Sequence, residues 1–384
     1  MKRGALARRS KIADEAGMNE VDDGKAPSTF EESVRRSAAL ALDLPKNPGR
    51  YRVLTGDRPT GALHIGHYFG SLKNRVRLQT LGVETYVVIA DYQVLTDRDT
   101  VDAVSENVHA LVLDYLAVGL DPDRAATHIF CHSHVPALNQ LLVPFLTLVG
   151  MGELERNPTV KEEISAAGLT NVNAAMYVYP VHQAADILFC KGNVVPVGRD
   201  QLPHIELTRK IARRFNHRFC KEQAAVFPEP DALLSEAPKI LGTDGTQKMS
   251  KSRGNAVLLR HTADETAQLL KRAKTDADRH ISYDPEGRPE VANLLLLISL
   301  CSGEAPSTIA ERIGDGGGGT LKKQLTEVLN ETLRPTRERR QQLEKDGAAE
   351  VRRVLTAGCE RARTAAEATL KEMRRAMNMD YGVA

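Results

Sequence analysis

The sequence predicts an α/β protein that begins with a doubly wound parallel sheet and ends in a wholly helical unit. Two observations support this fold class. From residue 51 onward, short apolar runs alternate with helical patterns, which is typical of strands and crossover helices in a parallel sheet. After residue 255 the patterns are almost all helical. We therefore place a domain boundary there, between units at 49–255 and 256–384.

Each element of the first unit follows from its own pattern. The run ETYVVIA is apolar without alternation, as expected for a strand that is buried on both faces. The helical segments instead repeat their apolar residues at a spacing of three or four. The predicted strands are residues 51–56, 84–90, 126–133 and 193–198. The predicted helices are residues 64–80, 101–118 and 200–216. This order is typical of a Rossmann-like sheet.

Other regions stand outside this alternation. Residues 1–48 are polar and mixed in charge, so we expect a largely disordered extension with at most one helix. Residues 136–190 are mainly helical and interrupt the strand–helix order. In the C-terminal unit, the glycine run 314–319 predicts a flexible loop, and the arginine-rich segment 336–376 predicts a long helical stretch.

Composition narrows the class of protein. The 384 residues are 42% hydrophobic and 27% charged, as in ordinary globular proteins. A net charge of +2 means that any nucleic-acid binding must come from local basic patches. No apolar run reaches the roughly 20 residues of a membrane span, and none follows the basic N-terminus, so neither a membrane segment nor a secretory signal is expected. The five cysteines form no CxxC pair, which argues against structural zinc and disulfides and favours the cytoplasm.

The stretch GALHIGHY, residues 61–68, lies between the first strand and the first helix. The N-terminus of a helix binds anions, because its free N–H groups and its dipole favour negative charge. His64 and His67 share one helix face and can donate hydrogen bonds to a polyphosphate, while Gly66 lets a ligand approach the backbone. Packing is the simpler explanation for an isolated HxxH. Zinc would need further nitrogen or sulfur ligands nearby, so no metal site is expected.

A second cluster, QKMSKSRGN at residues 247–255, places Lys248 and Lys251 three apart among small residues. Mobile lysines can stabilise phosphate charge as it shifts during phosphoryl or nucleotidyl transfer. Taken alone, this cluster is more simply explained as an exposed charged loop. The chain has no GxxxxGK[ST] motif, which argues against a P-loop NTPase.

Together, HIGH followed by KMSKS resembles the paired signature of the class I aminoacyl-tRNA synthetases. In that family the two motifs bind ATP and stabilise the transition state of amino-acid adenylation. The resemblance implies that His64, His67, Lys248 and Lys251 are the catalytic residues, and that Mg²⁺ arrives with ATP. The rest of the implied ATP site is Arg58, Pro59, Thr60, Gly66, Gly198, Arg199, Asp200, Gln201, Met249, Ser250 and Ser252.

The segment MYVYPVHQAADIL and the later VPVGRDQ resemble the tryptophanyl-tRNA synthetases in particular, and the likeness covers all but the N-terminal extension. Tyr179, Gln183 and Asp186 lie at i, i+4 and i+7, on one helix face. A carboxylate there can accept a hydrogen bond from an indole N–H and would discriminate strongly, because other side chains leave it unpaired. The resemblance gives this role to Asp186, with Tyr179, Gln183 and Gln93 as further tryptophan contacts.

Several residues depart from the common bacterial pattern, which indicates a divergent type: Arg58, Gln93, Gln183, Arg199 and Arg253. Gln183 also leaves tyrosine open as the substrate, because tyrosyl-tRNA synthetases carry a similar helix face that binds a phenol. A catalytically silent paralogue that acts as a binding or regulatory protein is another alternative. A nucleotidyltransferase of the same superfamily would not need residues 256–384.

The resemblance also implies the partners. The chain would activate L-tryptophan with ATP to Trp-AMP and pyrophosphate, and would then transfer tryptophan to tRNA(Trp). The helical insertion, about 136–190, would form the interface of a homodimer, and the helical unit at 256–384 would bind the anticodon. The arginines that could contact RNA phosphates, or could equally form a solvated helix face, are Arg352, Arg353, Arg361, Arg363, Arg374 and Arg375.

Overall fold

A single parallel sheet organises the protein. The computed structural model describes residues 29–96, 101–124, 126–168, 171–234, 240–250 and 253–382. The strands are β1 (Arg52–Asp57), β2 (Glu84–Ile89), β3 (Thr127–Cys131), β4 (Val194–Val197) and β5 (Asp231–Leu234). Their order in the sheet is β3-β2-β1-β4-β5, with every pair parallel. The chain therefore changes direction across the sheet between β1 and β4, and such a switch point opens a crevice at the carboxyl ends of the strands.

The sequence predicted the first four strands to within a few residues, and the predicted Rossmann-like fold class is confirmed. Strand β5 was missed. Its four residues, DALL, include no β-branched side chain, so they carry no local strand signal. The strand exists because it pairs with β4 along its whole length.

Helices surround the sheet and make up most of the remaining chain. They are α1 (Thr29–Asp43), α2 (Ile65–His67), α3 (Lys73–Thr80), α4 (Val104–Ala117), α5 (Pro136–Asn139), α6 (Leu142–Leu146), α7 (Met151–Glu155), α8 (Pro158–Ala167), α9 (Ala174–Leu188), α10 (Leu202–Phe219), α11 (Ala263–Lys271), α12 (Pro289–Ser302), α13 (Pro306–Ile313), α14 (Gly317–Leu343) and α15 (Gly347–Ala376). A π-helical turn, Tyr68–Leu72, joins α2 to α3, so the helix predicted at 64–80 is continuous. Of the described helices, none alone has the length and apolar character to cross a membrane, although α12 with the bent stretch Pro306–Leu343 meets that test as a pair.

The described part of the N-terminal extension contains one helix, α1. Residues 1–28 lie outside the described residues, but α1 packs against β5 at the edge of the sheet. Leu40 and Leu44 are buried there with apolar residues of β1, β4 and β5. The hydroxyl of Ser37 accepts the N–H of Leu234 at 2.8 Å. Helix α1 is thus the one helix that the sequence allowed in this extension, and burial of its apolar face covers the edge strand.

The C-terminal helices pack directly on the α/β unit. Helix α14 lies against α4, and α15 lies along β3. Gly358 permits this approach, since a Cβ on it would lie 1.8 Å from the carbonyl oxygen of Ile129. Two apolar core clusters run from the sheet into these helices. The sequence pattern therefore changes at residue 255, but the apolar core continues from one side of this boundary to the other.

Two local predictions in this region need correction. The glycine run at 314–319 forms no flexible loop, because a 3-10 turn, Gly314–Gly316, leads straight into α14. The helical stretch predicted at 336–376 belongs to two helices, α14 and α15, separated by a short turn.

Candidate active site

A cavity of about 330 Å³ opens at the carboxyl ends of β1, β2 and β4, at the switch point of the sheet. It is the place where ligands bind in open parallel sheets. Its walls bring together residues that were predicted separately for two substrates. Those predicted for the amino acid are Gln93, Tyr179, Gln183 and Asp186, and those predicted for ATP are Arg58, Gly198 and Gln201.

The HIGH motif forms the start of α2 beside an adjacent cavity of about 440 Å³. His64 caps the helix, and its Nδ1 accepts the N–H of Gly66 at 3.1 Å. In return, Nδ1 of His67 accepts the N–H of His64 at 3.2 Å. A neutral imidazole with an accepting Nδ1 carries its proton on Nε2. Each histidine therefore keeps one N–H donor for a ligand.

Burial keeps these two imidazoles neutral. It lowers the pKa of His64 to about 3, with the nearby His67 and Lys248 adding to the effect. Burial likewise lowers the pKa of His67. At neutral pH the pair thus offers hydrogen bonds and no charge. Among the described residues, positive charge can come from the N-terminus of α2, from Arg58, which lines this cavity, and from Lys248, which is exposed.

The structure gives a reason for glycine at position 66 that the sequence did not reveal. The ring of His64 folds back over the start of α2, and a Cβ on Gly66 would lie 2.8 Å from its Cε1 and 2.9 Å from its Nδ1. Any side chain would displace the ring and break the cap. The closeness of Gly66 to a nucleotide remains a prediction.

The two signature motifs meet in space. Leu258, just after KMSKS, forms an antiparallel bridge with His64, and the N–H of Ile65 donates to the carbonyl of Val257 at 2.9 Å. Met249 is buried, and Met249 and Ser250 line the cavity beside the histidines. The remaining residues of the motif, Lys251 and Ser252, lie outside the described part of the chain.

A buried ion pair beneath the site was not predicted. Arg75, at 2% exposure, places Nη1 at 2.5 Å from Oδ2 of Asp57. Its Nε donates to the hydroxyl of Thr55 and its Nη2 to the carbonyl of Gly56, each at 3.0 Å. Tyr115 donates its O–H to the same Asp57 oxygen at 2.6 Å. Burial would raise the pKa of Asp57, but Arg75 outweighs it and holds that pKa at about 2. This network fixes the end of β1, where both cavities begin.

The side of the cavity that includes Asp186 has a buried second layer of polar side chains. Asp186 is 1% exposed, and the fully buried His132 lies 3.4 Å from it, measured from Nδ1 to Oδ1. Burial would lower the pKa of His132, but Asp186 and Asp91 outweigh it and raise that pKa to about 9. Among the described residues, His132, His182 and Asp186 form one group whose ligand atoms lie within 4.8 Å of one another, a spacing that could hold a metal ion. No sequence motif indicated this group, because its members come from different elements.

Three residues predicted to contact ATP lie elsewhere. Arg199 lines a separate cavity of about 600 Å³ beside α1, α8 and α10, with its guanidinium 5.8 Å from the ring of Phe30. It starts the 3-10 turn Arg199–Gln201, whose geometry directs it toward α1. Asp200, in the same turn, accepts a hydrogen bond from Gln201 at 3.3 Å and lines neither site cavity. Pro59 also lines neither cavity, whereas Thr60 lines the one beside the histidines.

Comparison with known proteins agrees with this geometry. The family model for class I tRNA synthetases (W and Y) matches residues 46–334. The tryptophan–tRNA ligase of Clostridium longisporum is 43% identical over 338 residues, covering 86% of this chain and 97% of that protein. The enzyme of that name from Streptococcus pyogenes serotype M1 is 40% identical over 342 residues, covering 86% and 98%.

Solved structures give the same result. Tryptophanyl-tRNA synthetase from Campylobacter jejuni, complexed with ADP and tryptophan, matches with a TM-score of 0.72 and 28% identity over 85% of this chain and 99% of that chain. A tyrosyl-tRNA synthetase from Archaeoglobus fulgidus, at 19% identity and a TM-score of 0.62, shares the fold alone. The relatives that share both sequence and fold are tryptophan enzymes, which favours tryptophan over the tyrosine alternative. This chain therefore belongs to the class I tryptophanyl-tRNA synthetases.

Proposed function

We propose that this protein activates L-tryptophan with ATP and then transfers the tryptophanyl group to tRNA(Trp). The observation that carries the proposal is the joint cavity at the switch point. One wall holds the buried Asp186, and the opposite end continues past Arg58 to the HIGH histidines. An amino acid and a nucleotide can therefore lie end to end in one site.

In the first step, a carboxylate oxygen of tryptophan attacks the α-phosphorus of ATP. The bond from that phosphorus to the β-bridging oxygen breaks, and pyrophosphate leaves. The protein needs no covalent nucleophile, so its work is positioning and charge stabilisation. His64 and His67 donate their Nε2–H groups to phosphate oxygens, and Lys248 supplies positive charge. Mg²⁺ enters as the complex with ATP.

Specificity for tryptophan is assigned to Asp186. Its carboxylate is buried and lines the cavity, so a ligand that leaves it without a donor is penalised. Tyr179 and Gln183 lie on the same face of α9, and Gln93 faces them from the segment after β2. These three are proposed to enclose the indole and the amino group.

The helical unit at 256–384 is proposed to bind the anticodon, in a cytoplasmic enzyme. Several of its predicted RNA-binding arginines already make contacts within the protein. Arg353 pairs with Asp123 at 2.6 Å, and Arg363 donates to the carbonyl of His134 at 2.7 Å. These contacts hold α15 to the α/β unit, so an RNA phosphate must compete with them. Arg352 is exposed and is the better candidate for a phosphate contact.

A homodimer is proposed through the helical insertion. Four large apolar side chains on and beside it are exposed: Val143 at 69%, Met151 at 62%, Leu95 at 49% and Tyr92 at 46%. Leu95 and Tyr92 line an open cavity of about 560 Å³ together with residues of α5, α6 and α9. Exposed apolar groups at one place favour a protein interface. Sedimentation velocity at micromolar concentration tests this, and a monomer under those conditions would contradict it.

ATP–pyrophosphate exchange with each of the twenty amino acids tests the proposed reaction. Tryptophan is expected to support exchange. Exchange with tyrosine in place of tryptophan would overturn the specificity, and exchange with no amino acid would favour the catalytically silent alternative.

Asp186→Asn is expected to lower kcat/KM for tryptophan roughly 10- to 100-fold, the cost of a lost buried hydrogen bond. Asp315→Asn, at an exposed carboxylate, is the control and should leave kcat/KM unchanged.

A further inference from the structure

The side chain that holds Asp186 in place is His132. It follows directly after β3, is fully buried, and does not line the substrate cavity. Among the described residues, it is the hydrogen-bond partner of Asp186 and engages Oδ1 alone, at 3.4 Å. The second carboxylate oxygen, Oδ2, is left for a ligand in the cavity.

The surroundings of His132 fix which of its nitrogens is a donor. Nδ1 faces a carboxylate oxygen, which can only accept, so Nδ1 must carry a proton. Nε2 lies 2.7 Å from the N–H of Tyr92 and 3.1 Å from Oδ1 of Asp91. It can therefore accept from Tyr92 when the ring is neutral, or donate to Asp91 when the ring is charged. In both states the Nδ1–H is donated to Asp186.

Several further bonds immobilise the imidazole. Asp91 is itself held by the N–H of Ser133 at 3.1 Å and by the hydroxyl of the same residue. The side-chain N–H of Asn139 donates to the carbonyl of His132 at 3.0 Å, and the ring of Tyr92 stacks on the imidazole at 5.3 Å. A side chain held on all sides can in turn hold its partner, as the second layer around a functional group does.

The same bonds argue for a hydrogen-bonding role over a metal site. Asn139 donates its N–H to carbonyls, so its Oδ1, at 2.8 Å from Nε2 of His182, must accept. Nδ1 of His182 is then unprotonated and could bind a metal. Nδ1 of His132, however, faces Asp186 as a donor, and a metal would have to displace that proton and break the hydrogen bond.

We infer that His132 is a positioning residue for amino-acid recognition: it ties Oδ1 of Asp186 and so presents Oδ2 as the acceptor for the indole N–H. The inference rests on the proposed role of Asp186. Without the Nδ1–H, the carboxylate loses the hydrogen bond that fixes its rotation, and Oδ2 is no longer held as an acceptor for a donor on the substrate. His132 would thus set selectivity without touching the substrate.

The test compares tryptophan with β-(benzothiophen-3-yl)alanine, in which sulfur replaces the indole N–H. The readout is the ratio of kcat/KM values for the two substrates in pyrophosphate exchange. His132→Leu removes the donor. His132→Asn keeps an N–H near the position of Nδ1, whereas His132→Gln places its amide near Nε2. His109→Leu, on α4 and outside both site cavities, is the control.

The wild-type protein is expected to prefer tryptophan roughly 10- to 100-fold, as for a buried acceptor left unpaired by the analogue. His132→Leu and His132→Gln should reduce this ratio to below about 3-fold, mainly by lowering activity with tryptophan. His132→Asn and the His109 control should keep most of the preference. The glutamine and asparagine variants decide the matter even when the leucine variant does not fold, because each preserves a polar side chain.

Other results overturn the inference. Equal losses with both substrates, or a full preference retained in His132→Gln, would show that His132 has only a structural role. A wild-type ratio near one would remove the role of Asp186 as well, and so would identify failure of the proposed function.

The chain contains no tryptophan, so fluorescence of added tryptophan reports its binding directly. Binding lost after dialysis against EDTA would favour the metal site instead.

Discussion

Replacing Arg75 by methionine tests the buried network under the active site. The substitution keeps much of the side-chain volume but removes the guanidinium, which is almost completely buried at 3% exposure. Asp57, whose side chain is 19% exposed, would then be a mostly buried carboxylate with Tyr115 as its remaining side-chain donor among the described residues. The carbonyl of Gly56 and the hydroxyl of Thr55 would each lose a hydrogen bond.

The magnitude follows from these contacts. The pKa of Asp57, about 2 against an ordinary 3.8, corresponds to about 2.5 kcal/mol of stabilisation of the charged carboxylate. Each lost hydrogen bond adds on the order of 1 kcal/mol. Removing one partner of a buried ion pair generally costs about 3–5 kcal/mol. We therefore expect Arg75→Met to lower the free energy of unfolding by about 3–5 kcal/mol.

Urea unfolding at pH 7, followed by circular dichroism, measures this loss. The matched control is Arg334→Met on α14, where the arginine forms exposed pairs with Glu331 and Glu338. That change should cost less than about 0.5 kcal/mol. Adding Asp57→Asn to Arg75→Met removes the stranded charge and should recover part of the stability. A cost for Arg75→Met below about 1 kcal/mol, or one equal to the control, would refute the reasoning.

Three further predictions concern packing, pH and catalysis. Gly358→Ala places a Cβ 1.8 Å from the carbonyl oxygen of Ile129 and should lower the melting temperature by several degrees, whereas Gly319→Ala, with open space around it, should maintain or raise it. The low pKa of Asp57 in the folded protein, about 2 against an ordinary 3.8, stabilises the fold above pH 3.8, and this contribution is lost as the pH falls through about 2. Asp57→Asn should therefore flatten the dependence of the unfolding free energy on pH between pH 4 and 2. An unchanged dependence would contradict this. Lys248→Ala should lower kcat of pyrophosphate exchange about 100-fold. The affinity for tryptophan, measured by fluorescence titration, should change little. A loss of affinity as large as the loss of kcat would contradict a transition-state role.

Local patterns in the sequence accounted for the elements with strong internal signals. Strands β1 to β4 are apolar runs between turns, and the helix face of Tyr179, Gln183 and Asp186 follows from helical spacing alone. The two signature motifs identified the family, and the comparisons confirmed it. The same local method missed β5, which has no strong pattern of its own and is stabilised by pairing with β4 and by packing against α1.

Site residues divide in the same way. His64 and His67 were predicted from a contiguous motif, and the mutual cap that leaves Nε2 of each ring as the donor lies within four residues of chain. Arg199 was assigned to ATP from its place in a motif, but a single turn directs it toward Phe30. A motif gives the position of a residue in the chain, whereas the direction of its side chain depends on the packing around it.

By itself, the sequence determined the fold class and the family, and it predicted residues of α9 that line the cavity. Only the tertiary structure revealed the two buried pairs that support this site. Arg75 and Asp57 are 18 residues apart, and His132 and Asp186 are 54 apart. No local periodicity connects residues at such separations. They meet because α3 packs Arg75 beside the end of β1, and α9 packs Asp186 beside the end of β3. In such buried places a lone charge is costly, so each side chain requires its partner.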